Sequence, residues 1–597
     1  MRLGRRDFVK RMPAAAIATS VTLPGVGASP VSSLESSQPT SEAEAQTAST
    51  SSVSADDLRG AERIAGLRFT DAEEAQALPR VGRNLDFYEA LRQIDVPLDT
   101  EPAIVFHPYQ PGKRPRGRAT RGAKLVLARS PRVRVTSRLE ELAHQPVTAL
   151  AELIRTRRIT STNLTAMYLD RLKQYGDALH CVVTLTEDLA RAQAARADRE
   201  LGAGRYRGPL HGIPWGAKDL LATKGIRTTW GAAPFEHQVI DLDATVVERL
   251  RDAGAVLVAK LSMGSLAQGG VWFGGMTRNP WAPSTGSSGS SAGPAAATAA
   301  GLVGFSIGTE TRGSIMTPSS ICGVTGLRPT YGRVSRYGAM ALSWTMDKIG
   351  PLCRTVEDCA TVFNAIYGAD GRDETVVDAP FVWRPSLPLS RLRIGYVAKE
   401  FEPSLAASGL DAGRTDPGGT ATILKDALDV LRARGAKLKP IDLPEFPTDA
   451  LDVILQSEAA AAFDDLTRSK GIDQLTDQGP AAWPNTFRTS RFMPAVEYIR
   501  AQRARTLLGR KMEALMSTCD VFLAPALGSA SLPITNLTGH PAVCLKAGFR
   551  ANGLPVALMI TGRLYDEATV LRVALAYERA TKWHTMHPDL DKLRTEK

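Results

Sequence analysis

From about residue 136 onward, helix-like and strand-like patterns alternate along the chain. Apolar residues recur at intervals of three and four over 147–155 and 161–175, which predicts amphipathic helices. Short apolar runs at 255–259 and 521–524 separate such stretches and are typical of buried strands. This alternation favours an α/β fold, with a single large domain whose mixed β-sheet core is covered by helices on both faces.

Some elements are predicted with defined boundaries. The Ala/Arg/Glu-rich segment 184–201 is expected to form one helix. Thr245 and Glu248 have the spacing of a capping box, so Thr245 is expected to open a helix, and Gly254 should end it. An apolar run at 303–307 is expected to form a buried strand.

The composition is that of an ordinary globular protein, with 43% hydrophobic and 23% charged residues. Part of the net charge of +11 lies in the first eleven residues, and no basic helix or aromatic-rich basic stripe follows. We therefore expect no nucleic-acid partner. The six cysteines contain no C-x-x-C pair and no histidine cluster accompanies them, so no zinc site is expected. Whether any cysteine forms a disulfide is left open.

The first 28 residues have the pattern of an export signal. The run GRRDFVK at 4–10 resembles a twin-arginine motif, an apolar stretch follows at 14–26, and small residues precede Ser29. Pro13 and Pro24 interrupt the apolar stretch, which is also too short for a membrane span. We therefore expect export by the twin-arginine machinery to the periplasm or otherwise out of the cytoplasm, without stable membrane insertion. A flexible basic tail is the alternative interpretation.

The chain divides into four predicted regions. A twin-arginine signal peptide at 1–28 is followed by a disordered Ser/Thr/Ala-rich linker at 29–54. An N-terminal extension at 55–135 contains a short helix near 85–94 and a basic loop, and a single large domain occupies 136–597. The basic loop is interpreted either as a solvated segment or as a contact with an anionic polymer or lipid surface.

Three glycine-rich segments each contain a side chain suited to one chemistry. Lys218 lies in GIPWGAKD (212–219), Ser290 in GSSGSSAG (286–293) and Ser314 in GTETRGSI (308–315). Burial among apolar neighbours would lower the pKa of the lysine, and a neutral lysine can take a proton from a serine hydroxyl. Two serines and a lysine can thus attack an amide carbonyl without a histidine. Taken singly, a surface charge and a flexible loop are the simpler interpretations of these segments.

The turn at 308–314 follows the predicted strand 303–307. A glycine-bearing turn at a strand end can direct several backbone N–H groups at one point. The sequence therefore predicts an oxyanion site at this turn.

Together these segments resemble the amidase signature family over about 147–581. The likeness is strongest from Ser290 to Arg336, where the Gly/Ser-rich block aligns without a gap. It includes CGVTGLRPTYGRVS at 322–335. Further matches are SWTMDKIGP (343–351), NLTGHPA (536–542) and NGLPV (552–556).

The resemblance implies a Ser-Ser-Lys triad, with Ser314 as nucleophile, Ser290 as the bridging serine after a cis peptide bond, and Lys218 as base. Ser290 has the spacing that the ungapped alignment requires, whereas Ser287 would need an insertion. The implied oxyanion hole consists of backbone N–H groups, those of Thr311, Arg312, Gly313 and Ser314. The implied reaction is hydrolysis of a linear carboxylic amide to an acid and ammonia or an amine through an acyl-enzyme, with no metal or organic cofactor.

Three residues depart from the family pattern. Arg312 stands where glycine is usual, Met316 where arginine is frequent, and Glu310 where aspartate is commoner. One hypothesis is that Arg312 replaces the missing charge and pairs with Glu310 or another nearby acid. The rival is that Arg312 reaches the pocket and favours acidic substrates.

Three functions are compatible with this pattern. The leading one is an exported amidase that acts on a small-molecule amide. Whether this enzyme forms a homodimer is left open. The second is the glutamine-hydrolysing subunit of a tRNA-dependent amidotransferase, which needs partner subunits in the cytoplasm. The third is an inactive binding protein on the same fold. Residues 260–263 and 457–463 are expected to shape the pocket.

Overall fold

The computed structural model describes residues 53–94, 96, 100, 102–127, 138–402 and 419–593. The predicted signal peptide, nearly all of the predicted linker and the last arginines of the basic loop lie outside these residues. None of the helices in the described ranges is long and apolar enough to cross a membrane.

The described residues divide into two compact units, of which the smaller holds 53–59 and 69–93. Helix α1 spans Ala55–Ala65 and helix α2 spans Asp71–Arg92. Thr70 and Glu73 form a reciprocal capping box that starts α2. The short helix predicted at 85–94 is therefore the C-terminal part of a longer helix.

A mixed sheet of eleven strands forms the centre of the larger unit. In chain order these strands are β1 Val182–Leu185, β2 Pro214–Lys218, β3 Val256–Leu261, β8 Phe305–Glu310, β9 Thr325–Arg328, β10 Lys348–Cys353, β11 Ile394–Val397, β12 Leu438–Ile441, β13 Val521–Pro525, β14 Ala542–Phe549 and β15 Pro555–Gly562. Across the sheet their order is β1-β3-β2-β8-β10-β9-β14-β15-β13-β11-β12. Two small hairpins pair β4 Val271–Trp272 with β5 Gly275–Met276 and β6 Arg278–Asn279 with β7 Ala282–Gly286.

Strands near the middle of the sheet are covered on both faces. All residues of β2, β3, β8 and β10 are buried. Because successive side chains point to opposite faces, such strands need packed layers on both sides. The predicted α/β class and the mixed sheet are confirmed.

The helices of the larger unit lie before, between and after the strands along the chain. They are α3 Val147–Arg155, α4 Ser161–Tyr175, α5 Glu187–Gly202, α6 Thr245–Asp252, α7 Ala292–Ala299, α8 Met316–Cys322, α9 Val356–Ile366, α10 Gly419–Ala433, α11 Asp452–Ala462, α12 Asp464–Arg468, α13 Trp483–Ser490, α14 Ala495–Thr518, α15 Ser531–Thr538 and α16 Glu567–Glu578. Helices α3 and α4 have the predicted bounds, since their apolar period is regular.

One predicted helix boundary and one predicted helix cap are wrong. Segment 184–201 is not one helix, because Val182–Leu185 pairs antiparallel with β3 and the helix begins only at Glu187. Helix α6 does begin at Thr245, as predicted, but the capping box does not form. The N-cap is Ala244, and the Thr245 hydroxyl donates to Asp370 at 2.5 Å. Gly254 lies just after α6 with φ +84°, as the predicted helix stop requires.

Residues 102–127 run along the larger unit without forming a helix or strand. Phe106 packs on Tyr331 with ring centroids 5.2 Å apart, and the Thr120 N–H donates to the Tyr367 hydroxyl at 2.9 Å. The basic side chains between 113 and 124 are exposed. Lys113 also pairs with Glu513, so apolar, backbone and charged groups of this segment all contact the rest of the larger unit.

Candidate active site

Lys218 is the last residue of β2 and is fully buried. Its Nζ lies 2.8 Å from Ser290 Oγ and 2.8 Å from Thr309 Oγ1. Thr309 belongs to β8, the strand next to β2, so the pairing of these parallel strands brings it to the lysine. Within the described ranges no carboxylate forms an ion pair with Lys218. The amine therefore contacts hydroxyl groups rather than a counter-ion.

Burial lowers the pKa of Lys218 to about 7, although the negative charges of Asp347 and Glu310 oppose the shift. An ordinary lysine has a pKa of 10.5 and is protonated at neutral pH. This shift brings the neutral form of Lys218, which can accept a proton, into the neutral pH range.

Ser290 lies in the loop that joins β7 to α7, and its peptide bond to Gly289 is cis. The backbone approaches so closely here that a Cβ on Gly289 would lie 1.6 Å from the carbonyl oxygen of Gly269. Only glycine fits at this position. Ser287, the alternative in the same loop, donates instead to the carbonyl of Thr277 at 3.2 Å. The geometry thus brings Ser290, and not Ser287, to the lysine.

Ser314 lies beside this loop and is less buried than Ser290. The N–H of Ser291 donates to the carbonyl of Ser314 at 3.2 Å, which joins the turn at 308–314 to the residue after Ser290. Lys218 and Ser290 are buried, whereas Ser314 is partly exposed. Of the three predicted residues, Ser314 is therefore the one closest to the solvent.

The turn that contains Ser314 is held at both ends. Thr311 Oγ1 donates to Asp347 Oδ1 at 2.5 Å, and the N–H groups of Ile315 and Met316 each donate to Glu310 at 2.8 Å. Between these anchors, Gly313 adopts φ +131°, a conformation that favours glycine.

The middle of the turn keeps its backbone donors free. No group in the described part of the chain accepts a hydrogen bond from the N–H of Arg312, Gly313 or Ser314. Consecutive N–H groups without an internal acceptor suit the binding of a negatively charged oxygen.

Glu310 forms a buried ion pair with Arg328, at 2.8 Å, and also accepts from Asn536 at 2.9 Å. Burial alone would raise the pKa of this carboxyl, but Arg328 and the hydrogen bonds hold it below the usual 4.5. The Glu310 carboxylate is thus already paired with an arginine other than Arg312.

Arg312 pairs with two acids of the segment at and before α11. Its guanidinium contacts Asp452 and lies 3.7 Å from Asp449. The sequence hypothesis is that Arg312 pairs with Glu310 or with another nearby acid. The structure shows the latter, because Arg312 contacts Asp452. The contact links the turn at 308–314 to α11.

Breaking the Glu310–Arg328 pair should strongly destabilise the fold. We expect Arg328→Met to lower the free energy of unfolding by about 3–5 kcal/mol, because it leaves a buried carboxylate unpaired. Since folding lowers the pKa of Glu310, this loss applies above about pH 4.5 and shrinks as the pH falls through the lower folded value. Denaturant unfolding of Arg328→Met and of the double variant Arg328→Met/Glu310→Met measures both effects. The prediction would be contradicted if Arg328→Met lowered the free energy of unfolding by less than Arg328→Met/Glu310→Met does.

Removing the Arg312 side chain should have a modest and unselective effect. The Arg312 and Asp452 side chains are 34% and 26% exposed, so the pair contributes roughly 1 kcal/mol. We expect Arg312→Ala to slow hydrolysis of neutral and acidic amides by the same factor, on the order of fivefold. Asp452→Asn, the matched control, should give a similar factor. A selective loss on acidic amides would instead favour the rival hypothesis that Arg312 binds substrate.

Sequence reasoning missed Thr309 and the anchoring role of Asp347. Thr309 was recognised only as part of a glycine-bearing turn, and its position beside Lys218 depends on strand pairing. Lys260 belongs to the segment 260–263 that is predicted to shape the pocket, and its amine is buried in an ion pair with Asp219 at 3.1 Å. All six cysteines are buried and unpaired.

The comparisons with known proteins agree with this geometry. The chain matches the family described as Amidase over residues 163–535, and it belongs to this family. It is therefore an amidohydrolase, an enzyme that acts on the C–N bond of amides.

Among curated proteins, the chain is similar to one component of glutamyl-tRNA(Gln) amidotransferase. It is 37% identical over 485 residues to that component from Roseiflexus sp. (strain RS-1), and the match covers 74% of the chain and 97% of the relative. The protein of the same name from Chloroflexus aurantiacus (strain ATCC 29366 / DSM 635 / J-10-fl) is 36% identical over 502 residues, which cover 76% of the chain and 100% of the relative.

Solved structures show the same fold. Peptide amidase from Stenotrophomonas maltophilia is 30% identical with a TM-score of 0.67, over 76% of this chain and 100% of that one. A 6-aminohexanoate cyclic dimer hydrolase has a TM-score of 0.64 at 22% identity, over 75% of this chain and 99% of that one, which is a likeness of fold alone.

Proposed function

We propose that the chain hydrolyses a linear carboxylic amide through an acyl-enzyme on Ser314. The observation that carries the proposal is the buried amine of Lys218 at 2.8 Å from Ser290 Oγ. A lysine with a pKa near 7 can act as a general base at neutral pH, and a base within hydrogen-bond reach of a serine is what proton transfer requires.

In the proposed acylation, Ser290 gives its proton to neutral Lys218 and accepts the proton of Ser314 Oγ. That oxygen attacks the amide carbon, and the carbonyl oxygen takes up the negative charge. Four backbone N–H groups stabilise this oxyanion, those of Thr311, Arg312, Gly313 and Ser314. Ser290 then donates a proton to the departing nitrogen as the C–N bond breaks, and it regains one from Lys218.

In the proposed deacylation, a water molecule attacks the ester on Ser314. Its proton passes through Ser290 to Lys218, and the carbonyl oxygen again becomes an oxyanion in the same turn. The bond to Ser314 Oγ then breaks, this oxygen recovers a proton through Ser290, and the carboxylic acid leaves. The cycle uses side chains, backbone groups and water.

The names of the relatives support the amidotransferase candidate. Components of glutamyl-tRNA(Gln) amidotransferase match this chain at 33–37% identity over nearly their whole length. Their name supports the second candidate function, hydrolysis of glutamine to supply ammonia to a partner that handles charged tRNA. Peptide amidase, at 30% identity, supports the broader amidase candidate. The twin-arginine pattern also favours a separate exported enzyme, and since residues 4–10 lie outside the described ranges this location stays a prediction.

The decisive experiment is a substrate comparison with the purified chain. Glutamine, hexanamide and a peptide with a C-terminal amide are each offered, and released ammonia is measured with Ser314→Ala as the blank. Ammonia from glutamine alone, together with co-purification of partner subunits, would support the amidotransferase candidate. Turnover of the other amides without a partner would support the amidase candidate. No turnover of any amide, with no labelling of Ser314 by a fluorophosphonate, would favour an inactive binding protein.

A further inference from the structure

A second lysine lies beside the active-site turn and has no part in the steps above. Lys348 is the first residue of β10 and is only 3% exposed. Its Nζ donates to the carbonyl of Thr311 at 3.3 Å and to the carbonyl of Met346. Among the described residues no carboxylate lies within ion-pair distance of this amine. Two backbone carbonyls are thus its hydrogen-bond partners.

Such an amine is expensive to bury. A charged ammonium without a carboxylate loses several kcal/mol of hydration, and an apolar side chain of the same length would avoid that loss. Burial, followed by the nearby charge of Arg328, accordingly lowers the pKa of Lys348 well below its usual value. A neutral amine still carries two N–H donors, one for each carbonyl. The side chain therefore suits hydrogen bonding to these carbonyls better than it suits holding a charge.

The carbonyl of Thr311 belongs to the same peptide group as the N–H of Arg312. Resonance couples the two ends of a peptide group, so a donor at the oxygen makes the N–H a stronger donor. The Arg312 N–H has no acceptor in the described part of the chain and is one of the four donors assigned to the oxyanion. A hydrogen bond from Lys348 thus acts on the oxyanion site through one peptide plane.

We propose that Lys348 is a positioning residue of the oxyanion hole: its amine holds and polarises the peptide group between Thr311 and Arg312. Thr311 is then fixed twice, by Asp347 at its hydroxyl and by Lys348 at its carbonyl. Lys348 does not touch the substrate. This inference rests on the proposed function, because both assign the binding of the oxyanion to the turn at 308–314.

The test measures how fast a fluorophosphonate reacts with Ser314, since this reaction also builds negative charge on an oxygen near the turn. We expect Lys348→Met to lower the maximal labelling rate about 5- to 30-fold and to leave the probe's reversible binding constant unchanged. Loss of a whole oxyanion donor costs roughly 100- to 1,000-fold, and here the donor is only weakened. The melting temperature should stay the same or rise, because the variant no longer buries an amine.

Lys546→Met is the matched control. Lys546 is also a buried lysine that donates to a backbone carbonyl, that of Met586 at 2.7 Å, and it lies on β14 outside the proposed machinery. Its replacement should leave the labelling rate unchanged. Lys348→Leu is a second amine-free variant in case the methionine variant does not fold.

The outcomes separate the two proposals. Wild-type protein that labels normally, beside a Lys348→Met variant that labels equally fast, overturns the role of Lys348 and leaves the proposed function intact. A variant that loses probe binding and thermal stability together, with an unchanged maximal rate, also overturns it, since that pattern belongs to a purely structural lysine. Wild-type protein that does not label at Ser314 removes the proposed function itself.

Discussion

Replacing Ser314 with alanine is expected to lower amide hydrolysis by about 10⁴- to 10⁶-fold, because the variant has no oxygen to form the acyl-enzyme. The fold should not change. Ser314 is partly exposed, and the contact that ties it to the loop of Ser290 uses its backbone carbonyl. The measurement is kcat on the best amide of the substrate comparison, together with the mass of the fluorophosphonate adduct.

Two other serines serve as controls for this prediction. Ser290→Ala should lower kcat by at least about 10³-fold, since it removes the hydroxyl that carries the proton from Ser314 to Lys218 in the proposed mechanism. Ser287→Ala should keep wild-type kcat, because the Ser287 hydroxyl donates to the backbone carbonyls of Thr277 and Ser288 and not to Lys218. A Ser314→Ala variant that keeps more than a few per cent of the activity, or an adduct on another serine, would contradict the assignment of the nucleophile.

The site residues could be predicted from the sequence where local chemistry is distinctive. A lysine among apolar residues at the end of a strand is by itself most simply a surface charge, yet β2 is buried throughout, as the proposed base requires. A run of glycine and serine cannot form a packed helix or strand, and the loop of Ser290 shows why glycine is needed, since Gly289 lies against the backbone of Gly269. The local chemistry drew attention to these segments, and the family resemblance supplied the role of each residue.

Contacts between distant segments could not be predicted in this way. Lys348 lies opposite Glu310 because β10 pairs antiparallel with β8, and no local pattern states that pairing. The partner of Arg312 is 140 positions away at the start of α11. The sequence suggested an acid near Arg312, and only the packing of α11 decides which one.

A helix boundary and a helix cap differ from the prediction where tertiary structure overrides local preference. Segment 184–201 is rich in helix-forming residues, yet its first residues belong to an edge strand because β3 offers a partner there. Thr245 has capping-box spacing, but its hydroxyl bonds to Asp370, which lies far outside the helix. In both places a long-range hydrogen bond replaces the local one that the pattern predicts.

The second large effect is expected for Lys218→Met, which should lower kcat by at least about 10³-fold and abolish the pH dependence of acylation near neutrality. In the wild type the base is active when neutral, so activity should rise with pH and reach half of its maximum near pH 7, the value to which burial lowers the pKa of Lys218. Folding stability behaves differently. The unfolded chain binds the extra proton between about pH 10.5 and about pH 7, so stability falls as the pH decreases through that window and then stays level. At pH 7 the methionine variant should therefore melt at or above the wild-type temperature.

Lys546→Met provides the control for this pH dependence. Burial also lowers the pKa of Lys546 to about 7, so a rate profile with that midpoint could in principle belong to either lysine. Because Lys546 lies near Met586 and not near Ser290, its variant should keep both the rate and the midpoint. A midpoint that disappears in Lys546→Met, or a wild-type rate that is already maximal at pH 5, would show that the amine of Lys218 is not the base. A catalytically dead Lys218→Met that also melts lower than the wild type would mean that the buried amine stabilises the fold, against the direction of its pKa shift.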